Sequence, residues 1–282
     1  MARVLVVGCG YVGGALAERL VGEGDEVFGL RRDPSALPEG VVRLAGDVAE
    51  PGGLGALPDG LDSVVYAVGA KQRDEGAYRR AYLDGLGHVI RILNDEGQNP
   101  SRFVFTSSTS VYGQTRGEWL DESSPTHPRG FPGEIMLSAE RVLHGSRFPS
   151  TVLRLGGIYG PGRTRLIERV RAGEAVTHSE PPAFTNRIHR DDAAGAIAHI
   201  LALEDPQETY LGVDTEPADS SEVLGWVAEQ LGVERAPATE GPPESGRRCS
   251  SRALVESGYR FVYPSFREGY AGLMKTRAAG AA

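Results

Sequence analysis

Two clusters of residues have the types and spacing for chemistry on a phosphorylated ligand. Gly8, Gly10 and Gly13 follow the short apolar run 4–7, and Leu16, Leu20 and Val21 then recur at helical spacing. A strand, a glycine turn and a helix in that order do three jobs. The first glycine permits a sharp turn, the second lets a pyrophosphate approach the backbone, and the third lets helix and strand pack closely. Tyr11 and Val12 stand between the second and third glycines, so they open the helix whose free N–H groups and partial positive charge face the phosphates. The pattern reads as dinucleotide binding, against the alternative of a plain βα turn. The second cluster is Arg31-Arg32, 18 and 19 residues after Gly13. An acid at this point binds the ribose 2′-hydroxyl of NAD, whereas arginine suits the 2′-phosphate of NADP. NADP(H) is the expected cofactor and NAD the alternative. A solvated arginine pair at a strand end is the other reading, and Asp33 is a neighbour of the wrong sign.

Positioning these residues requires a set of alternating elements. Runs at 26–30, 41–45, 64–68, 102–107 and 151–155 read as strands. Helices are expected at 75–96, where Tyr78, Tyr82, Leu86, Val89, Ile90 and Leu93 share a face, and at 133–144. Strands alternating with helices imply right-handed βαβ units. The expected fold is therefore α/β, a doubly wound parallel (Rossmann) sheet with a smaller C-terminal α/β lobe. Residues 1–160, with 186–205, form the expected cofactor domain; 161–185 and 206–282 form a substrate-binding lobe. In the latter part of the chain a helix is expected at 191–204, a strand at 209–213 and a helix at 220–231. A mobile loop is expected at 236–246, which is rich in Pro, Gly and Glu.

Bulk properties narrow the function classes. The chain is 40% hydrophobic and 24% charged with a net charge of −8, which argues against a general nucleic-acid or anionic-membrane binder. No apolar run approaches the roughly 20 residues of a membrane helix, and the first residues already read as a strand rather than a signal peptide, so a cytoplasmic protein is expected. Cys9 and Cys249 offer neither metal-ligand spacing nor a disulfide framework. No metal site is expected.

Later stretches add a resemblance. Phe103-Val-Phe-Thr-Ser-Ser-Thr-Ser-Val-Tyr-Gly113, Leu153-Arg-Leu-Gly-Gly-Ile-Tyr-Gly-Pro-Gly162 and Ile188-His-Arg-Asp-Asp-Ala193 resemble signature segments of the extended short-chain dehydrogenase/reductase family, which includes nucleotide-sugar epimerases and dehydratases. The resemblance implies that Asp47 and Val48 face an adenine and that Ala67, Val68 and Gly69 line the cofactor. It implies that Leu155, Gly156 and Ile158 touch the nicotinamide and that Ser108 is the catalytic hydroxyl bonded to a substrate oxygen. Plainer roles stay open: Asp47 as a cap, Ser108 as the partner of a strand-end backbone group. A small-molecule substrate is implied, and a homodimer through helices 75–96 and 133–144 is an option.

The departure is as informative as the match. The family pairs Tyr-x-x-x-Lys with a glutamate four residues further on. Anchoring on Glu140 puts Met136 at the lysine seat and Pro132 at the tyrosine seat. The chain's two lysines, Lys71 and Lys275, each follow an alanine at the fourth preceding position. The couple works because residues four apart share a helix face and the ammonium lowers the phenol pKa toward working pH. Without it a general acid–base contribution of about 10²–10⁴ in rate is lost. This resembles the atypical members of the family. Tyr112 is the first substitute proton donor to consider; Tyr159, His127, Glu134 and His189 are others. Two functions follow: an NADP(H)-dependent oxidoreductase or epimerase-like enzyme of atypical mechanism, or an inactive NADP(H)-binding redox sensor.

Overall fold

The computed structural model describes residues 1–50, 52–178, 181–239 and 246–279. In chain order the first elements are β1 (Arg3–Val7), α1 (Tyr11–Gly22), β2 (Glu26–Arg31), β3 (Val42–Ala45), β4 (Ser63–Tyr66), α2 (Glu75–Tyr78), α3 (Gly85–Asp95) and β5 (Arg102–Ser108). Next come β6 (Arg116–Leu120), α4 (Phe131–His144), β7 (Ser150–Leu155), β8 (Gly157–Tyr159), α5 (Arg165–Arg171), β9 (Thr177–His178), β10 (Phe184–Thr185), β11 (Arg187–His189) and α6 (Arg190–Ala202). The last are β12 (Thr209–Gly212), β13 (Ala218–Asp219), α7 (Ser220–Leu231), β14 (Ala238–Thr239), β15 (Gly246–Cys249), α8 (Arg252–Glu256) and α9 (Phe266–Ala279).

Two compact units emerge. One comprises residues 1–113, 126–154 and 194–210; the other comprises 114–125, 155–193 and 211–282. The central sheet has seven strands in the order β12-β7-β5-β4-β1-β2-β3. The pairs β1–β2, β1–β4, β2–β3 and β4–β5 are parallel, as the alternation of strands and helices requires. Val4, Leu5, Val6, Val64, Val65, Phe103, Val104 and Phe105 are buried on both faces of the sheet, which is why these strands are continuous apolar runs.

The expected helix at 75–96 is interrupted by a π-turn, Arg79–Asp84. The Gly85 N–H reaches back five residues to the Arg80 carbonyl, which frees the Ala81 carbonyl to accept a 2.5 Å bond from the Tyr66 hydroxyl. A buried tyrosine on β4 thus takes a helix acceptor and the helix absorbs the extra residue. Gly85 is needed there, because a Cβ would stand 2.5 Å from that hydroxyl.

The second unit holds a four-stranded sheet, β13-β10-β15-β6, and the pairs β8–β11 and β9–β14. Its core gathers Tyr159, Ile167, Val170, Val223, Val227, Phe266 and Tyr270. Asp192 is fully buried, accepting the Tyr259 hydroxyl and the backbone N–H groups of Val262 and Tyr263. That carboxylate pins the segment before α9 to the start of α6. The expected loop at 236–246 contains β14 and the first residue of β15; its residues 240–245 lie outside the described residues. Among the described residues no helix is long and apolar enough to cross a membrane.

Candidate functional site

The carboxyl ends of β1, β2, β4 and β5 share one edge of the first unit's sheet. Gly8 follows β1 at φ +82°, and a Cβ there would lie 2.6 Å from the Val68 backbone. Glycine is therefore required where the turn after β1 meets the chain leaving β4. Gly13 is required for a second reason: its Cβ would lie 2.6 Å from the Gly8 carbonyl. Gly10 differs from both. A Cβ there meets only the Gly8 oxygen, at 3.8 Å, so the space over it is open. Gly10 is also the N-cap of α1 and makes no side-chain cap bond. An open cradle at an uncapped helix N-terminus fits a pyrophosphate. Tyr11 and Val12 form the first turn of α1.

Arg31 ends β2, and its Nη1 lies 3.4 Å from the Cys9 carbonyl. Arg32 follows, half exposed, with Nη1 3.8 Å from an Asp47 carboxylate oxygen. Asp47 also accepts the Ala49 N–H at 3.0 Å, within a turn rather than at the start of the helix expected after it. The Val48 side chain is buried, and its carbonyl bonds His88 Nδ1 at 2.8 Å. Ala67 extends the ladder to the Val7 carbonyl at 2.8 Å, and Gly69 is exposed beyond it. Cys9 is fully buried, and burial pushes its thiol up to about 11, which makes it a packing residue rather than a nucleophile.

Ser108 ends β5, half-buried, and its Oγ accepts the Ser110 N–H at 3.1 Å. The hydroxyl keeps its own proton to donate. Tyr112 stands elsewhere: it is 1% exposed, and its hydroxyl accepts from Arg154 Nη1 at 2.7 Å. Arg154 also makes a two-pronged bond to Glu140, Nε–Oε1 at 3.1 Å and Nη2–Oε2 at 2.7 Å. The Ser107 hydroxyl donates to the same carboxylate at 2.5 Å. This buried network of Ser107, Tyr112, Glu140 and Arg154 ties α4 to β5 and β7. Sequence reasoning used Glu140 only as an alignment anchor and assigned no role to Arg154. The signal available was an arginine inside an otherwise apolar strand.

Pro132 is in the first turn of α4, where a missing N–H costs nothing. Met136 is buried on the face that carries Glu140, whereas Glu134 is exposed off it. His127 is exposed.

In the second unit Leu155 ends β7, Gly156 follows, and Ile158 pairs with Ile188 between β8 and β11. A Cβ on Gly156 would lie 3.0 Å from the Asn186 backbone. Tyr159 is buried, and burial pushes its phenol up. His189 is also buried, stacked 3.9 Å from the Tyr263 ring, and burial lowers its pKa. Both residues pack the lobe. Among the described residues no three His, Cys, Asp or Glu side chains gather to hold a metal.

Comparison with known proteins gives a consistent picture. The profile of the NAD dependent epimerase/dehydratase family matches residues 4–211. Protein YeeZ of Escherichia coli K12 is 29% identical, the match covering 94% of this chain and 97% of YeeZ. A 3-diazoavenalumate denitrifying reductase from a Streptomyces species is 27% identical, over 95% of this chain and 98% of the reductase. An epimerase/dehydratase-type protein of solved structure, from Methylobacillus flagellatus, is 36% identical and superposes with a TM-score of 0.83 over 98% of this chain and 99% of its own.

Proposed function

The chain belongs to the NAD dependent epimerase/dehydratase family, and on that premise we propose that it is an NADP(H)-dependent oxidoreductase. It acts on a small carbonyl, hydroxyl or nucleotide-sugar-like compound without the Tyr/Lys proton couple. The observation that carries the reading is the shared sheet edge: the glycine cradle, the arginine pair and the Ser108 hydroxyl all follow carboxyl ends of neighbouring parallel strands, where open α/β sheets take their ligands. A bound nicotinamide supplies or accepts the hydride. In this chain Gly10 and the α1 N-terminus hold the pyrophosphate, and Arg31 and Arg32 hold the 2′-phosphate. Ser108 donates a hydrogen bond to the substrate oxygen and fixes its orientation, so positioning carries most of the rate. Tyr112 is a positioning residue in this reading, since its oxygen is committed to Arg154.

Two outcomes follow. Replacing both Arg31 and Arg32 with alanine is expected to raise the NADPH dissociation constant about tenfold or more, through lost charge-assisted bonds, while NADH binding changes little. Calorimetry with both nucleotides checks this, and a parallel loss for NADH overturns the assignment of the arginines. Ser108→Ala is expected to lower kcat/KM for an NADPH-dependent carbonyl reduction at least about tenfold, followed by loss of NADPH absorbance across a panel of carbonyl compounds and nucleotide sugars. A second reading rests on the buried Met136 and the proline at the neighbouring seat: NADP(H) is bound but not turned over, and redox state is reported to a partner. NADPH binding with no turnover across that panel is the result that favours it.

A further inference from the structure

The second unit carries an open cavity of about 520 Å³ between α5, α7 and the strands β10 and β11, with three arginines in its wall. Arg165 and Arg169 lie four residues apart on one face of α5, where two like charges repel each other. Arg169 Nη2 donates to the uncharged Glu174 carbonyl at 3.1 Å. The third is Arg187 on β11. It is only 7% exposed; its Nη2 bonds the Thr185 hydroxyl at 2.5 Å, and its Nη1 is buried with no partner. Among the described residues no carboxylate lines the cavity and none forms an ion pair with these three guanidiniums. The acid nearest in influence is Asp214, which lies outside the lining; burial pushes its carboxyl up to about 8 against the pull of Arg187 and of a backbone bond from Glu216.

Two exposed guanidiniums on one helix face and a third, buried one in the same wall make the cleft positively charged and suited to an anion. The remaining wall indicates what the anion carries. Leu166, Val176 and Leu224 supply aliphatic surface, and no aromatic ring lines the cavity among the described residues, so nothing there stacks on a nucleotide base. The Thr185 and Ser220 hydroxyls complete the polar part.

We propose that this cavity binds an organic acid, its carboxylate held by Arg165, Arg169 and Arg187 and its aliphatic body against Leu166, Val176 and Leu224. Resting on the oxidoreductase reading, this points to a small carboxylate with an apolar body, rather than a nucleotide sugar, as the compound the second unit binds. The relative acting on 3-diazoavenalumate is likewise named for a carboxylate.

The test is calorimetry on the full chain without cofactor, so that it does not depend on turnover. Octanoate, 1-octanol, inorganic phosphate and UDP-glucose are the probes. Octanoate is expected to bind, more weakly at high salt, and 1-octanol is not. The exposed pair Arg165→Gln/Arg169→Gln is expected to weaken octanoate about tenfold or more while its melting temperature and NADPH affinity match the parent's. Arg187→Lys, which keeps the charge but not the planar fork, is expected to weaken it as well. The proposal is overturned if octanoate does not bind, if the double variant binds it as the parent does, or if UDP-glucose or phosphate alone binds in an arginine-dependent way. Octanoate binding together with no NADPH-dependent turnover would sink the oxidoreductase reading and leave the acid site standing.

Discussion

Glu140→Ala is expected to cost about 3–5 kcal/mol of stability, the scale for breaking a buried ion pair by removing one partner. Glu140 and Arg154 are both nearly inaccessible, so the guanidinium left behind cannot recover its hydration. The carboxylate also accepts the Ser107 hydroxyl, which would lose its acceptor. The Tyr112 hydroxyl would remain as a side-chain acceptor for Arg154. Arg154→Met is expected to be similarly damaging, because it strands the carboxylate. The double variant Glu140→Leu/Arg154→Met should recover most of either single loss, since an apolar pair of similar volume avoids the desolvation cost on both sides. Urea denaturation of the full chain reads all three as shifts in midpoint. Single losses below about 1 kcal/mol, or a double variant as unstable as the sum, would mean that the network does not behave as a buried charge pair.

That network also marks where sequence reading stops. Glu140 was visible because the family it resembles carries a glutamate four residues beyond the lysine seat, and α4 puts Glu140 and Met136 on its buried face. Its partner was not visible: Arg154 is 14 residues away on β7, and Tyr112 reaches it from the turn after β5. Such pairing is a property of packing and leaves no periodicity. The glycine turn was legible for the opposite reason. Gly8 needs a positive φ and a missing Cβ, both local demands on residue type. The interrupted helix lies between these cases: its apolar stripe was readable, but the π-turn is imposed by Tyr66 from another strand. The two-residue strands of the second unit are too short for an alternating pattern to register. Likewise Arg165 and Arg169 can be seen as a helical pair, whereas Arg187 joins their cavity only through the fold.

The second large effect is a pH dependence carried by Asp214. Its carboxyl is fully buried, and burial pushes it up to about 8 against the pull of Arg187 and of a backbone bond from Glu216. Asp192 and Glu216 face it with charge of the same sign, and the buried phenols Tyr159 and Tyr270 respond to it. In the unfolded chain the same group ionises near pH 3.9. Between those two values the folded state holds a proton that the unfolded state has lost. Its contribution to stability is therefore greatest below about pH 4, falls by up to about 1.4 kcal/mol per pH unit, and levels off above about pH 8. Carboxylates such as Asp121 and Glu268, whose hydrogen bonds to serines hold them below their usual range, act with the opposite sign and lose their contribution in acid. The difference between the parent and Asp214→Asn isolates the group, because the amide is close in shape and does not titrate. Near pH 4 the two should be similar in stability, and by pH 8 the asparagine variant should be the more stable by a few kcal/mol. Urea midpoints at half-unit steps from pH 4.5 to pH 8.5 give the comparison. Two curves that stay parallel throughout would mean that Asp214 is ionised in the folded chain, and that Arg187 is neutralised from within rather than left for a ligand.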